Sequence, residues 1–121
     1  GLGTVKFADD VRYSGQWRDG RSTGLGLREK PGSERSEGNF IDGRLEGMGV
    51  RRTLTSPNIT QSGEFRAGQL EGPGVEQVVE GERYEGTFRR GRRDGYGELT
   101  KVDGKAIAGR WSDGKLVEST P

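Results

Sequence analysis

Glycine recurs at fixed positions along this 121-residue chain, and that regularity limits its possible folds more than any other feature. One glycine column has spacings of 23, 25, 23 and 23 residues. An aromatic residue lies two positions after each member, and another glycine lies three positions after that. The two columns are Gly15, Gly38, Gly63, Gly86 and Gly109, and Gly20, Gly43, Gly68, Gly91 and Gly114. Self-similarity at such a period is typical of repeat architectures.

The period divides the chain into one repeat array over residues 1–121. Residues 1–12 form the tail of a preceding repeat, because Gly1 and Gly3 lie 23 residues before Gly24 and Gly26. The repeats are 13–35, 36–60, 61–83 and 84–106, and 107–121 is a last, partial repeat. The two extra residues of the second repeat fall at 55–58, where Pro57 suits a longer turn and would interrupt a central strand.

Each repeat has the pattern of a β-hairpin. In residues 13–17, Tyr, Gly and Trp alternate with polar residues, which is typical of a half-exposed strand. Asp19-Gly20 is a tight-turn signal, and Glu80-Gly81 and Asp103-Gly104 mark a second turn between repeats. No segment has the apolar stripe of a helix. The sequence therefore predicts an all-β fold, an elongated single-layer antiparallel meander of about ten strands, built from stacked β-hairpins with one grooved aromatic face.

Composition excludes several functional classes. Only 27% of the residues are hydrophobic and 32% are charged, a balance that by itself favours disorder. The periodic glycines indicate order instead, because stacked repeats bury surface between neighbours. The net charge of +1 gives no overall attraction to nucleic acid, so we expect no nucleic-acid partner. Cysteine and histidine are absent, and the carboxylates fall in turns; the sequence predicts no enzyme activity, no metal site and no cofactor.

These residues resemble the MORN (membrane occupation and recognition nexus) repeat, whose pattern reads roughly Tyr-x-Gly-x-Trp/Phe-x-x-Gly-x-x-x-Gly-x-Gly. Segments 13–26 and 84–97 match every named position. The other three copies replace the leading tyrosine with Ser36, Gln61 and Ile107. Before the penultimate glycine, where the family often has histidine, this chain has Thr23, Glu46, Glu71 and Asp94. The resemblance implies a twisted sheet that binds protein partners or pairs with itself.

The first candidate site is the aromatic column, which could form a partner-binding groove for a helix or an extended peptide. The alternative is that the rings only pack on one another and hold the sheet together. The structural glycines would then leave room for rings to lie flat against the neighbouring strand. The predicted groove residues are Tyr13, Trp17, Phe40, Phe65, Tyr84, Phe88 and Trp111.

The second candidate site is a basic edge formed by the hairpin turns. The densest cluster is Arg89, Arg90, Arg92 and Arg93, and Arg66 occupies the equivalent turn of the preceding repeat. Such an edge would suit anionic lipid, in particular phosphoinositide headgroups. The alternative is a solvated edge whose charge is neutralised by the acidic residues of the same turns.

From these features we expect a non-enzymatic protein-interaction scaffold or adaptor that binds a protein segment on its aromatic face. Self-association into a homodimer is a further expectation, because an open sheet has unpaired edges. The alternatives are a membrane-associating module for anionic lipid and a regulatory repeat segment of a larger enzyme. We expect a cytoplasmic location, and association with a membrane or with the cytoskeleton stays open as an alternative.

Overall fold

The computed structural model describes residues 2–7 and 10–120, and these residues form one open antiparallel sheet of eleven strands. Each strand pairs with the next along the chain, so the predicted all-β meander of hairpin repeats is confirmed. Gly1, which the repeat alignment includes, lies outside the described residues. The strands are β1 (Leu2–Lys6), β2 (Arg12–Arg18), β3 (Arg21–Lys30), β4 (Glu34–Ile41), β5 (Arg44–Thr53), β6 (Ile59–Arg66), β7 (Gln69–Val78), β8 (Arg83–Arg89), β9 (Arg92–Thr100), β10 (Ala106–Ser112) and β11 (Lys115–Ser119).

Two-residue turns close the five complete hairpins. The first turn residue has φ between 50° and 53°, and the glycine after it has φ between 76° and 87°. Positive φ at both central residues defines the type I′ turn, whose twist matches that of the flanking strands. The turns are Asp19-Gly20, Asp42-Gly43, Ala67-Gly68, Arg90-Gly91 and Asp113-Gly114. Glycine is therefore required at the second position of each turn, as the sequence predicted.

The connections between repeats are longer and less regular. The β5–β6 connection spans residues 54–58, which confirms the longer turn predicted around Pro57. The Thr53 hydroxyl closes this loop, because its oxygen accepts the Ile59 N–H at 2.7 Å and donates to the Pro57 carbonyl at 3.2 Å. The extra residues are thus accommodated outside the hairpin body, and the register of the following repeat is unchanged.

A continuous row of glycines, one from each strand from β1 to β10, crosses the sheet with each glycine paired to the next. We call it the glycine row: Gly3, Gly15, Gly26, Gly38, Gly49, Gly63, Gly74, Gly86, Gly97 and Gly109. Every complete hairpin has a register shift within two residues of this row. Because a β-bulge kinks and twists the strand that carries it, the hairpins are all kinked at the same level.

The core lies on one side of the sheet, here called the inner face, and it explains the glycine row. A Cβ atom on Gly26 would lie 2.7 Å from ring carbons of Tyr13, and one on Gly97 would lie 2.5 Å from a ring carbon of Tyr84. The rings therefore lie directly over glycines of the neighbouring strand, in the space that the sequence predicted. The buried cluster consists of Tyr13, Phe40, Leu45, Phe65, Leu70, Tyr84, Phe88, Leu99 and Trp111, with Trp17 packed against it.

Candidate functional site

Six of the seven rings predicted to form a partner-binding groove are buried inside the inner face, with exposed fractions of 0–5%. Only Trp17 is partly exposed. The rings pack edge to face, with Tyr13 contacting Trp17 and Phe40 at centroid distances of 4.9 and 5.3 Å. At the other end of the array, Tyr84 contacts Phe88 and Trp111 in the same way. The six buried rings leave almost no surface for a partner, so the groove prediction needs correction: these rings hold the sheet together.

Both tyrosines of the core are neutral packing elements. Burial raises the pKa of the Tyr13 and Tyr84 phenols above their ordinary value. Each hydroxyl donates a hydrogen bond to a backbone carbonyl at 3.1 Å, that of Gln16 for Tyr13 and that of Thr87 for Tyr84. The carbonyls lie within the bulged part of the same hairpin, so each tyrosine also fixes the kink that lets its ring lie over the glycine row.

Arg93 belongs to the inner face, which corrects its assignment to the basic edge. Its side chain is 14% exposed, and its Nε donates to Glu76 Oε1 at 2.9 Å. Gln61 donates to the other oxygen of the same carboxylate at 2.7 Å. The Arg93 guanidinium also lies 5.1 Å from the centre of the Tyr84 ring and 5.6 Å from that of Trp111. Arg93 therefore covers aromatic rings and is paired with a carboxylate, which leaves it unavailable to an anionic ligand.

A sequence signal could have placed Arg93 correctly. The position two residues after each turn glycine carries leucine in three of five copies. This column faces inward, since Leu45, Leu70 and the equivalent Ser22 are all buried. The column is Ser22, Leu45, Leu70, Arg93 and Leu116.

The four other arginines of the predicted basic edge are exposed along the row of hairpin turns: Arg66, Arg89, Arg90 and Arg92. Arg92 pairs with Asp113 at 2.8 Å. Within residues 2–7 and 10–120, the side chains of Arg66, Arg89 and Arg90 form no ion pair. The structure thus brings four of the five predicted residues to one edge.

The acidic residues at the positions where the family often has histidine connect successive hairpin turns along this edge. The carboxylate of Glu46 accepts the N–H of Ala67 at 2.7 Å, and that of Glu71 accepts the N–H of Arg90 at 3.0 Å. Each bond runs from one hairpin to the first turn residue of the next. These carboxylates therefore fix the stacking of successive turns, and the arginine side chains beside them extend into solvent.

The sequence interpretation missed a row of exposed apolar residues on the opposite side of the sheet, the outer face. Each lies between two closely spaced glycines, at the same position of successive repeats. Leu25 is 68% exposed, Met48 66% and Tyr96 69%. The signal was an apolar column within the Gly-x-Gly motif. We call this column the outer row: Leu2, Leu25, Met48, Pro73 and Tyr96.

Part of the outer row forms one wall of a shallow cleft of about 530 Å³. Leu25 and Met48 stand on one side, and Val50 stands on the other with Glu37 and Ser62. The floor consists of backbone of the glycine row, namely Gly26, Gly38, Gly49 and Gly63. The side-chain positions of the glycine row point to the inner face, so only backbone lies on the outer side at this level and a partner could contact it between the two walls. We call this feature the outer cleft.

The sheet and its exposed apolar row define the chain as a β-hairpin repeat protein. Comparison with protein families matches the MORN repeat at residues 13–33, 37–52, 62–82 and 84–106. These segments cover more than half of the chain, which therefore belongs to the MORN-repeat family. The partial repeat 107–121 is outside the matched segments, although β10 and β11 continue the sheet there. A search of curated proteins finds no match.

The MORN repeat is a non-catalytic repeat module, compatible with interaction with a protein or a membrane. In the part of the chain that the structure describes, no group of three or more acidic side chains is arranged to hold a metal ion. No helix within the same residues is long and apolar enough to cross a bilayer.

Proposed function

We propose that this chain is a non-enzymatic protein-interaction scaffold that binds a partner segment in the outer cleft. The observation that carries the proposal is the outer row. Single exposed apolar side chains are normal on protein surfaces, whereas the outer row repeats an exposed apolar residue at the same position of successive repeats. Asn39, Glu64 and Thr87 are paired in register with Leu25, Met48 and Pro73 and stand between the members of the row. Strands lie about 4.8 Å apart, so successive members of the row are about 9.6 Å apart along the array.

The contrast between the two faces supports the choice of the outer cleft. On the inner face, the apolar side chains already contact one another, and Arg93 covers the rings of Tyr84 and Trp111. On the outer face, Leu25 and Met48 keep about two-thirds of their surface in water. Burial of exposed apolar surface drives most protein association, and Leu25 and Met48 offer such surface in the middle of the outer face. On the inner face, exposed apolar side chains such as Val5 and Leu116 lie at the two ends of the array.

Peptide selection tests the proposal with ligands of defined sequence. Random peptides displayed on phage would be selected on the whole chain, and the Kd of each enriched peptide would be measured by fluorescence anisotropy. We expect Met48→Asp to weaken binding at least about tenfold, because a carboxylate would replace an apolar anchor. The fold should persist, since Met48 is 66% exposed.

Val102→Asp is the matched control. Val102 is 74% exposed in the β9–β10 connection, away from the cleft, and it receives the same kind of substitution. Equal Kd values for wild type, Met48→Asp and Val102→Asp would exclude the outer cleft as the binding site. Circular dichroism of each variant would establish that differences in affinity are not caused by unfolding.

Exposure of Arg66, Arg89 and Arg90 on one edge supports a second candidate function, association with anionic membranes. Binding to vesicles that contain phosphoinositide should then exceed binding to neutral vesicles and should fall as salt increases. Arg89→Glu with Arg90→Glu should abolish it. Equal binding to neutral vesicles, or retention of binding by the double variant, would refute this function.

A further inference from the structure

We propose that the occupant of the outer cleft is an amphipathic helix with an apolar stripe flanked on both sides by Asp or Glu, lying across the strands. This inference rests on the proposed function and specifies the chemistry of the partner. It follows from the charges that border the cleft and from the dimensions of the outer face.

Two rows of exposed arginine border the outer face. The first, here called the loop-side rim, lies beyond Glu37 and Val50 toward the connections between repeats. Arg35 and Arg52 are paired in register within it. The second, here called the turn-side rim, lies beyond the outer row, at the hairpin turns. The rims contain Arg12, Arg35, Arg52 and Arg83 on the loop side, and Arg18, Arg21, Arg44, Arg66, Arg89 and Arg92 on the turn side.

Much of this positive charge is unpaired. Arg83 pairs with Glu85 at 3.0 Å, and Arg21 approaches Asp42 at 3.7 Å. Arg92 pairs with Asp113, and the remaining rim arginines form no ion pair within residues 2–7 and 10–120. Glu29 is paired in register with both Arg12 and Arg35, so on the loop side the charges without a neighbouring carboxylate centre on Arg52. A partner that placed carboxylates over both rims would supply the missing counter-charges, and guanidinium–carboxylate pairs are the strongest of the charged hydrogen bonds available here.

The distances suit a helix. Arg35 lies six positions before Ile41 in β4, and Ile41 is paired with Arg44, so the rims lie about 20 Å apart along the strand. A helix is about 10–12 Å wide, so it would fit between the rims with its flanking side chains directed at the arginines. Seven helical residues rise about 10.5 Å, close to the 9.6 Å repeat of the outer row. One apolar residue per heptad could therefore follow the row over several repeats.

Charge also argues against the other occupants of such a face. A second copy of the chain stacked face to face would place one arginine rim on another in either two-fold orientation. Arginine outnumbers the carboxylates on each rim, which are Glu29 on the loop side and Asp19, Asp42 and Asp113 on the turn side. A flat anionic membrane would meet Glu37 and Glu64, which are exposed between the rims. A helix avoids this repulsion because its apolar stripe faces the cleft and its acidic flanks face the rims.

A charge-swap selection tests the inference. The displayed library would keep an apolar heptad stripe and allow Asp, Glu, Lys, Arg, Ser or Gln at the flanking positions. We expect Asp and Glu to be enriched on both flanks. Arg35→Glu with Arg52→Glu should weaken the binding of an enriched acidic peptide at least about tenfold, and a peptide with lysine on the facing flank should recover the loss.

Lys101→Glu with Lys105→Glu is the control, since it makes the same change in net charge in the β9–β10 connection. Enrichment of Lys or Arg on the flanks, or an unchanged Kd for the rim variant, would overturn the inference while leaving the cleft as the site. Loss of vesicle binding in the rim variant with no change for peptides would assign the rims to a membrane and also overturn it. If no peptide distinguishes wild type from Met48→Asp, the proposed function itself fails.

Discussion

Gly97→Ala should destabilise the fold through one contact. The added Cβ would lie 2.5 Å from a ring carbon of Tyr84, whose side chain is fully buried. The ring would have to move by about 1 Å to reach an ordinary carbon–carbon distance of about 3.5 Å. It cannot do so freely, because Phe88 and Trp111 lie edge to face with it at centroid distances of 5.2 and 5.3 Å.

The size of the effect follows from two opposing terms. Forcing an additional methyl group into a packed core costs about 1–3 kcal/mol, and more where the neighbour is rigid. Replacing glycine with alanine lowers the entropy of the unfolded chain and returns about 0.4–1 kcal/mol. We therefore expect the free energy of unfolding to fall by about 1–2 kcal/mol, with a fall in Tm of roughly 4–8 °C for a chain of this size.

Gly3→Ala is the control within the same row. Its Cβ would meet only Trp17, at 3.7 Å, which is an ordinary contact. Its free energy of unfolding, measured by urea denaturation, should stay the same or rise slightly. In a Tyr84→Ser background, Gly97→Ala should also become nearly neutral, because the ring is gone. If Gly97→Ala lowered the free energy of unfolding equally in both backgrounds, the idea that the glycine row makes room for aromatic rings would be refuted.

Three further predictions concern charge and association. Glu76→Ala should lower the free energy of unfolding by about 3 kcal/mol, because Arg93, whose side chain is 14% exposed, would lose its ion-pair partner. Arg92→Ala removes an exposed ion pair and should lower the free energy of unfolding by less than about 1 kcal/mol. Similar urea midpoints for the two variants would contradict this prediction. Burial raises the pKa of the Tyr84 phenol above the ordinary tyrosine value near 10. The stability that the neutral phenol contributes is therefore complete below pH 10 and is lost as the pH rises through the pKa of the folded state. The urea midpoint should fall above pH 10, and it should fall less steeply in Tyr84→Phe. Self-association remains a prediction for light scattering, in which a mass that grows with concentration would support pairing of the β1 or β11 edge and a constant monomer mass would exclude it.

Much of the fold could be predicted from the sequence because the residues of each repeat determine its own turn and strands. The Asp-Gly and related turns fix the hairpins, and alternation in residues 13–17 fixes the strand. Five copies in register then leave a sequential meander as the simplest arrangement. The pairing of glycine with glycine across ten strands was not predicted, because it depends on the register between hairpins.

The candidate site was harder to predict because a strand has two faces. Aromatic side chains are typical both of cores and of binding surfaces, and only burial separates the two roles for Phe40 or Tyr84. Arg93 and Arg92 are adjacent in sequence but lie on opposite faces, so a charge cluster in sequence was divided in the structure. Comparing equivalent positions over all repeats, as for Met48 and Tyr96, would have identified the outer row.

The central claim is that the inner face is the core and that the outer face binds the partner. Side-chain NMR of the chain bound to a selected peptide tests this claim most directly. Leu25 and Met48 supply methyl groups on the outer face, and Leu45 and Leu70 supply methyl groups on the inner face. We expect intermolecular nuclear Overhauser effects from the methyl groups of Leu25 and Met48 and none from those of Leu45 and Leu70. Effects from Leu45 and Leu70, with none from Leu25 and Met48, would place the partner on the inner face and contradict the account.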